Sequence, residues 1–306
     1  MSEMIALRGK MLDFGRLHAA IEDLRNRKIF FVGGTMKSGT TWLQLLLNAH
    51  PQVSCDGEGH FIDCLAPNIK QAIDHHWKFI ADKNRSIFRE INSPIYPGLT
   101  EEDNFYLIAS CISLFLVRQS RSKEAMAIGE RTPDNIDNLE MLNLLFPTAK
   151  FIQIVRDGRD CAVSGWFHNL RMTPEWTKKN FGSLRKYALQ CAEAWAEQLA
   201  DAQQFADRHG RRFLRVRYED MAADTEPVLA NVFSLLNVDN SAPILARCRS
   251  EASFAKLSGG RSPGQENRRS FFRKGVTGDW RNHFSAEIEA EFRKKSGGWL
   301  DRLGYV

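Results

Sequence analysis

Cysteine is sparse in this chain and never spaced for metal binding. The six residues (Cys55, Cys64, Cys111, Cys161, Cys191 and Cys248) are scattered through 306 positions. None forms C-x-x-C or pairs with histidine at zinc spacing, so a finger-type zinc site is excluded. Several stand in apolar runs, the setting of buried free thiols in a reducing compartment. Long hydrophobic runs are also missing. The most apolar stretch, FYLIASCISLFLV from Phe105, is shorter than the ~20 residues that span a bilayer, and it reads as a buried helix. The N-terminal MSEMIALRGKMLDF has neither the apolar core nor the small-residue cleavage site of a signal peptide. A cytoplasmic protein without a membrane span is expected. There is no Ser/Gly/Pro-rich linker, no low-complexity run and no internal period, so residues 1–306 are read as one domain. No basic block with interleaved aromatics occurs. The formal charge of +5 suits an anionic ligand and does not call for nucleic acid.

What the chain does have is concentrated in FFVGGTMKSGTTW, residues 30–42. A short apolar run ends in two glycines, then come Lys37, Ser38, Gly39, Thr40, Thr41 and Trp42, followed by a helical pattern. A glycine-bearing loop that opens a helix aims backbone N–H groups at one spot, where the helix dipole favours an anion. Lys37 adds a point charge, and Ser38, Thr40 and Thr41 add hydroxyls. The nucleoside-triphosphatase pattern G-x-x-x-x-G-K-[ST] is not met: the lysine precedes the second glycine, and Thr40 stands in its place.

Strand and helix patterns alternate along the rest. IFFVG, AMAIG from Ala125, KFIQIV from Lys150 and RRFLRVRY read as strands. DNIDNLEMLNLLF reads as a helix with Asp134 as N-cap. RDCAVSGWFHNL, a long amphipathic segment over 183–209 stopped by Gly210, and patterns over 227–236 and 285–295 are also helical. This alternation predicts an α/β fold, a three-layer domain with a central parallel sheet, whose ligands bind beyond the carboxyl ends of the strands. Residues 1–28 are expected to form a helical extension, and 63–123 a helical region forming the acceptor pocket and its lid. In FIQIVRDGRDCAVSGW, Arg156 ends a strand and Ser164 follows two helical turns later, so both can face one anion. The third motif is FFRKGVTGDWRNHF, in which glycines permit close backbone approach.

Together these three motifs resemble the sulfotransferase family over residues 29–284. KSGTTW is similar to its loop for the 5′-phosphosulfate of 3′-phosphoadenosine 5′-phosphosulfate (PAPS). The C-terminal motif is similar to the R-K-G-x-x-G-D-W-[KR]-N-x-F signature of cytosolic members. The resemblance implies a P-loop NTPase-like sulfotransferase fold with PAPS as co-substrate and no metal. It implies that Arg156, Ser164, Arg273, Lys274 and Gly275 hold the 3′-phosphate, while Trp280 packs. Trp42 and Tyr218 match adenine contacts, although a core Trp and a strand-end Tyr are equally open. Lys37 is expected to be the cation on the leaving phosphate.

The base departs from the cytosolic enzymes, which carry histidine in K-T-H. The matching stretch here, GERTPDN from Gly129, has none. CDGEGHF from Cys55 instead resembles segments of heparan-sulfate and tyrosylprotein sulfotransferases in which a glutamate is the base. It implies Glu58 as base in an apolar, partly buried setting, assisted by His60, with Glu130 as rival. Arg131 is expected to orient substrate or sulfonate. His75, His76 and His168 are read as solvated or structural. The expected acceptor is a hydroxyl of a small molecule, lipid or sugar. A P-loop kinase or NTPase, and a non-catalytic phosphoadenosine-nucleotide binder, are the alternatives.

Overall fold

The computed structural model describes residues 13–87, 98–119 and 125–305. In chain order it runs α1 (Phe14–Leu24), β1 (Lys28–Gly33), α2 (Thr40–Asn48), β2 (Val53–Asp56), α3 (Ala66–Ile87), α4 (Glu101–Gln119), β3 (Ala127–Arg131), α5 (Leu139–Leu145), β4 (Lys150–Val155) and α6 (Gly158–Met172). It continues with α7 (Pro174–Phe181), α8 (Leu184–His209), β5 (Phe213–Arg217), α9 (Tyr218–Ala223), α10 (Thr225–Leu236), α11 (Ala242–Glu251), α12 (Phe254–Ser258), α13 (Ala286–Lys295) and α14 (Trp299–Arg302).

The five strands form one parallel sheet in the order β2-β3-β1-β4-β5. Side chains alternate across it. Phe31 and Phe151 enter one core with Ile112, Leu116 and Phe205. Phe30, Val32, Ile152 and Ile154 enter the other, against Leu43, Leu46 and Leu47 of α2 and Leu229 and Phe233 of α10. Both faces are covered, which is why β1 and β4 read as continuous apolar runs. A third cluster joins α6, α8, α13 and α14 around Trp195 and Phe292.

The strand order reverses beside β1: the chain builds β2 and β3 on one side, then crosses to β4 and β5 on the other. The loops after β1 and β4 therefore open onto one crevice at the carboxyl edge, the switch point where such sheets bind ligands.

Three local expectations are corrected. The edge strand β2 was not foreseen. Asp134 does not cap a helix; it lies inside a 3₁₀ segment (Pro133–Asn138), and α5 starts only at Leu139 after Asn138. The apolar stretch from Phe105 is not buried all round. α4 buries Ile108, Ile112 and Leu116 but leaves Tyr106, Leu107 and Phe115 exposed. Of the expected N-terminal extension, α1 is seen and residues 1–12 lie outside the described residues; of the 63–123 region, α3 and α4 are seen and residues 88–97 and 120–124 lie outside them. Among the described residues no helix is long and apolar enough to cross a membrane.

Candidate active site

The candidate residues sit in the loop after β1 and the first turn of α2, in the loop after β2, at and just after the ends of β3, β4 and β5, on α6 and in the segment after α12. The loop after β1 is pinned by Gly34 N–H donating to Pro133 O (3.0 Å) and Ser38 N–H to Thr35 O (2.9 Å). Its tight path puts Lys37 at φ 71° and Gly39 at φ 107°. A Cβ on Gly39 would meet the Tyr218 ring at 2.6 Å, so both conformation and space demand glycine there. Gly39 caps α2 with no side-chain bond, which leaves first-turn N–H groups of the helix free to receive an anion. Ser38 is fully buried, and its Oγ has no hydrogen-bond partner among the described residues. Lys37 makes no ion pair among them; its Nζ sits 4.5 Å from the centre of the Phe271 ring. Burial, then the charges of Arg171 and Arg156, push its ammonium down to about 8.

Arg156, just past β4, ties the cradle together. Its Nη2 donates to Val276 O (2.9 Å), its Nη1 reaches Lys37 O (3.4 Å), and its guanidinium lies 4.2 Å from the Tyr218 ring centre. Nη2 also lies 3.4 Å from Asp160 Oδ2, and Nε is buried with no hydrogen-bond partner among the described residues. Tyr218 meets Trp42 edge-on at 5.5 Å, and Trp42 Nε1–H donates to Ala252 O (2.9 Å). Both rings are half-buried, at the boundary between core and cavity.

The C-terminal segment folds over this edge. Asp160 of α6 accepts from Gly278 N–H (2.7 Å) and Trp280 N–H (2.9 Å). Trp280 is buried with the Arg159 guanidinium 3.8 Å from its ring centre, so it packs, as expected. Gly275 adopts φ 66° with the Phe254 ring 2.4 Å from where a Cβ would stand. Arg273 and Lys274 both donate to the buried carboxylate of Asp279. Burial works to raise that carboxyl, but the hydrogen bonds from Lys274 and Arg273 prevail and hold it well below its usual range.

On the other side of β1, β2 and β3 end in the second set of groups. Glu130 is buried and fully engaged: Oε1 accepts from Gly59 N–H (2.8 Å) and Thr132 Oγ1 (2.5 Å), and Oε2 from Asn135 Nδ2 (2.8 Å). Burial raises its pKa against those hydrogen bonds. It brackets the 57–60 turn and does not line the cavity. Arg131 is buried behind that turn, donating through Nε (3.0 Å) and Nη2 (2.7 Å) to Gln44 Oε1 and through Nη1 to Glu58 Oε1. Glu58 itself is exposed rather than set in the apolar pocket expected of it; its other oxygen lies 3.7 Å from His60 Nε2. His60 Nδ1 pairs with Asp63 at 2.7 Å, which raises the pKa of the ring. Ligand atoms of His60, Asp63 and Asp134 lie within 4.8 Å of one another. That group is open to solvent, and the His60–Asp63 hydrogen bond accounts for its closest contact.

One cavity of about 580 Å³ joins the two sets. Its wall includes Lys37, Gly39, Thr40, Thr41, Trp42, Arg156, Ser164, Tyr218, Arg273, Lys274 and Gly275, together with Glu58, His60 and Asp134. Of the residues singled out in the sequence, Ser38 lies buried just beneath this wall and Arg131 behind it. Among the wall residues that the sequence reading did not assign to the site, two stand beside Lys37. Phe271 stacks on Lys37, and His168, read as solvated or structural, is half-buried beside it. Burial, then Lys37 and Arg171, bring His168 down to about 4. The spacing of Ser164, His168 and Arg171 at i, i+4 and i+7 was the available signal, since it places all three on one helix face.

A model of the Sulfotransferase family matches residues 30–242, well over half of the chain. The chain belongs to the sulfotransferase family. Among its curated relatives, protein-tyrosine sulfotransferase A of Caenorhabditis elegans is 26% identical over 234 residues, covering 71% of this chain and 57% of that protein. Protein-tyrosine sulfotransferase 1 of Rattus norvegicus is 31% identical over 137 residues, covering 44% and 33%. The chain thus spans about a third to somewhat over half the length of these relatives. Mouse sulfotransferase SULT7A1, solved in complex with PAP, superposes with a TM-score of 0.56 at 20% identity, covering 94% of this chain and 89% of that one. The sulfotransferase domain of the Synechococcus PCC 7002 olefin synthase superposes with 0.52 at 20% identity, covering 90% and 95%. At these identities the structures show the shared sulfotransferase fold. The family match ends before the 264–282 segment, but that segment folds onto the same cavity.

Proposed function

We propose that this chain transfers the sulfuryl group of PAPS to a hydroxyl of a small-molecule, lipid or carbohydrate acceptor by in-line displacement. The observation that carries this reading is the single cavity, in which a cation-bearing cradle with orphaned buried donors at one end faces a held carboxylate at the other. The donor set fits a phosphosulfate: helix N–H groups left open at the start of α2, the Ser38 hydroxyl, Lys37 without an ion pair among the described residues, and the largely buried Arg156.

Lys37, Ser38 and the first-turn N–H groups of Thr40 and Thr41 take the 5′-phosphosulfate. Arg156, Ser164, Arg273, Lys274 and the Gly275 N–H take the 3′-phosphate, for which Arg273 and Lys274 turn from Asp279. Trp42 and Tyr218 flank the base. Bound PAPS supplies the electrophilic sulfur and a phosphate leaving group. Lys37 neutralises charge that grows on that phosphate, a term worth most in a water-poor site. Glu58 accepts the acceptor's proton. Arg131 acts through Glu58, fixing its carboxylate toward the cavity, and His60 steadies it from the other side. As in phosphoryl transfer, most of the rate comes from positioning and electrostatics.

Family membership weighs against the kinase or NTPase alternative. The six cysteines, all unpaired, favour a reducing, cytoplasmic setting for the activity. The names of the curated relatives make the phenol of a protein tyrosine a further acceptor to test. The test is calorimetric titration with 3′-phosphoadenosine 5′-phosphate (PAP) without magnesium, beside ATP with magnesium, followed by an acceptor screen with labelled PAPS. Tight binding of PAP alone and a labelled product lost in Glu58→Gln are expected. Preference for Mg-ATP overturns the reading, and PAP binding with no acceptor sulfated leaves the non-catalytic binder in its place.

A further inference from the structure

One face of α6 presents Ser164, His168 and Arg171 to the cavity edge. Ser164 and His168 line the main cavity, and all three border a small recess that Lys37 and Phe271 close. Arg171 Nη2 lies 3.2 Å from His168 Nδ1. A guanidinium only donates, so Nδ1 is the acceptor, and the proton of a neutral imidazole must then sit on Nε2. The ring is neutral at physiological pH, because its burial and the neighbouring Lys37 and Arg171 oppose protonation while Glu58 alone favours it. His168 is therefore a fixed tautomer with one N–H to offer. It stands in the field of both Lys37 and Glu58, the two groups that flank the path from leaving oxygen to attacking oxygen. Phe271 meets it edge-on at 6.3 Å and limits where the ring can go.

We propose that His168 is a substrate-contacting residue whose Nε2–H donates to an oxygen of the transferring sulfonate. This inference rests on the sulfotransferase reading of the cavity. His168 makes and breaks no covalent bond and keeps its proton throughout. Its usefulness lies in being an oriented donor that adds no further positive charge beside Lys37 and Arg171, where a third cation would weaken the ammonium. Sulfonate oxygens carry negative charge, so the bond is charge-assisted and stronger than a neutral one.

The experiment needs no acceptor. PAP and PAPS differ only by the sulfonate, so calorimetric affinities for each, measured on the full chain without acceptor, isolate contacts to that group. For His168→Phe we expect PAPS affinity to fall about ten-fold, as for a lost hydrogen bond to a charged group, with PAP affinity unchanged. His168→Gln keeps an N–H at similar reach and is expected to restore most of the loss. Unchanged PAP affinity also certifies the fold of the variant; if Phe is not tolerated, His168→Ala makes the same comparison with the same expected sign. The proposal is overturned if the variants weaken PAP and PAPS equally, if neither affinity moves, or if Gln is no better than Phe. Failure of the unmodified protein to bind PAP overturns the sulfotransferase reading itself, a result separate from all of these.

Discussion

The two ends of the cavity are built on opposite principles. At the β1 and β4 edge, Asp160 pairs with Arg156 and Asp279 holds Arg273 and Lys274, but Lys37 rests on an aromatic ring, Ser38 Oγ and Arg156 Nε are buried with no hydrogen-bond partner among the described residues, and α2 opens without a side-chain cap. At the β2 and β3 edge nearly every charge is already matched: Glu58 with Arg131, His60 with Asp63, and Glu130 with three donors. The first end keeps a lysine and a buried hydroxyl unmatched among the described residues, a setting suited to an anion. The second spends its interactions on holding one carboxylate still. Binding strength is thus expected to reside at the β1 and β4 edge and the timing of proton removal at the other.

The sharpest way to break this division is Lys37→Ala. It is expected to lower turnover roughly a thousand-fold, in the range for loss of a preorganised charge stabiliser, and to weaken PAP as well. Equal PAP affinity with and without Lys37 would place the anion elsewhere. Glu58→Gln is expected to lower kcat about a hundred-fold, as for loss of a general base, with PAP affinity retained. A fall in PAP affinity of the same size would merge the two ends. The pH dependence separates them further. Lys37 is depressed to about 8, so it is charged below that pH and loses its proton above it. PAP affinity should therefore decline as pH rises past 8, by up to about ten-fold per unit, and Lys37→Arg should flatten the decline.

Glu130→Gln tests whether the buried glutamate is a bracket or a base. Turning one accepting oxygen into a donor leaves Gly59 N–H, Thr132 or Asn135 unmatched, so chemical denaturation should show a loss of about 1–3 kcal/mol. A wild-type midpoint with abolished turnover would reinstate Glu130 as the base. The smallest effect is expected from Trp42→Phe, which keeps a ring beside Tyr218 but loses the bond to Ala252 O. Nucleotide affinity should fall only about five-fold.

The β1 and β4 end was legible in the sequence because its residues are nearly contiguous. A strand, a glycine loop and a helix lie within residues 28–48, and the 273–280 segment carries its own pattern of glycines and cations. The β2 and β3 end was legible only through Glu58 and Arg131. Its edge strand, VSCD, is four residues long, too short for alternation to stand out. That Arg131 faces Glu58 and Gln44, not open cavity, follows from the β2–β3 register, in which Asp56 pairs with Glu130; no local pattern encodes it. The Asp134 cap failed because Pro133 starts a 3₁₀ segment that holds Asn135 against Val32 O and Glu130, so tertiary hydrogen bonds displaced the helix start. His168 and Phe271 owe their place to the crossing of α6 with the C-terminal segment, a contact between residues about a hundred positions apart.

Arg156 donates across 119 and 120 positions of sequence, to the carbonyls of Lys37 and Val276. One side chain thereby links the cradle loop to the folded-over segment. Occupation of either phosphate position should rigidify the other, and by thermodynamic reciprocity each must raise the affinity of the other by the same factor. A nucleotide bearing both phosphates gains from both at once. Inorganic phosphate or a mononucleotide would gain from one, so on the proposed reading a doubly phosphorylated adenosine is expected to be preferred before any contact with the base is counted.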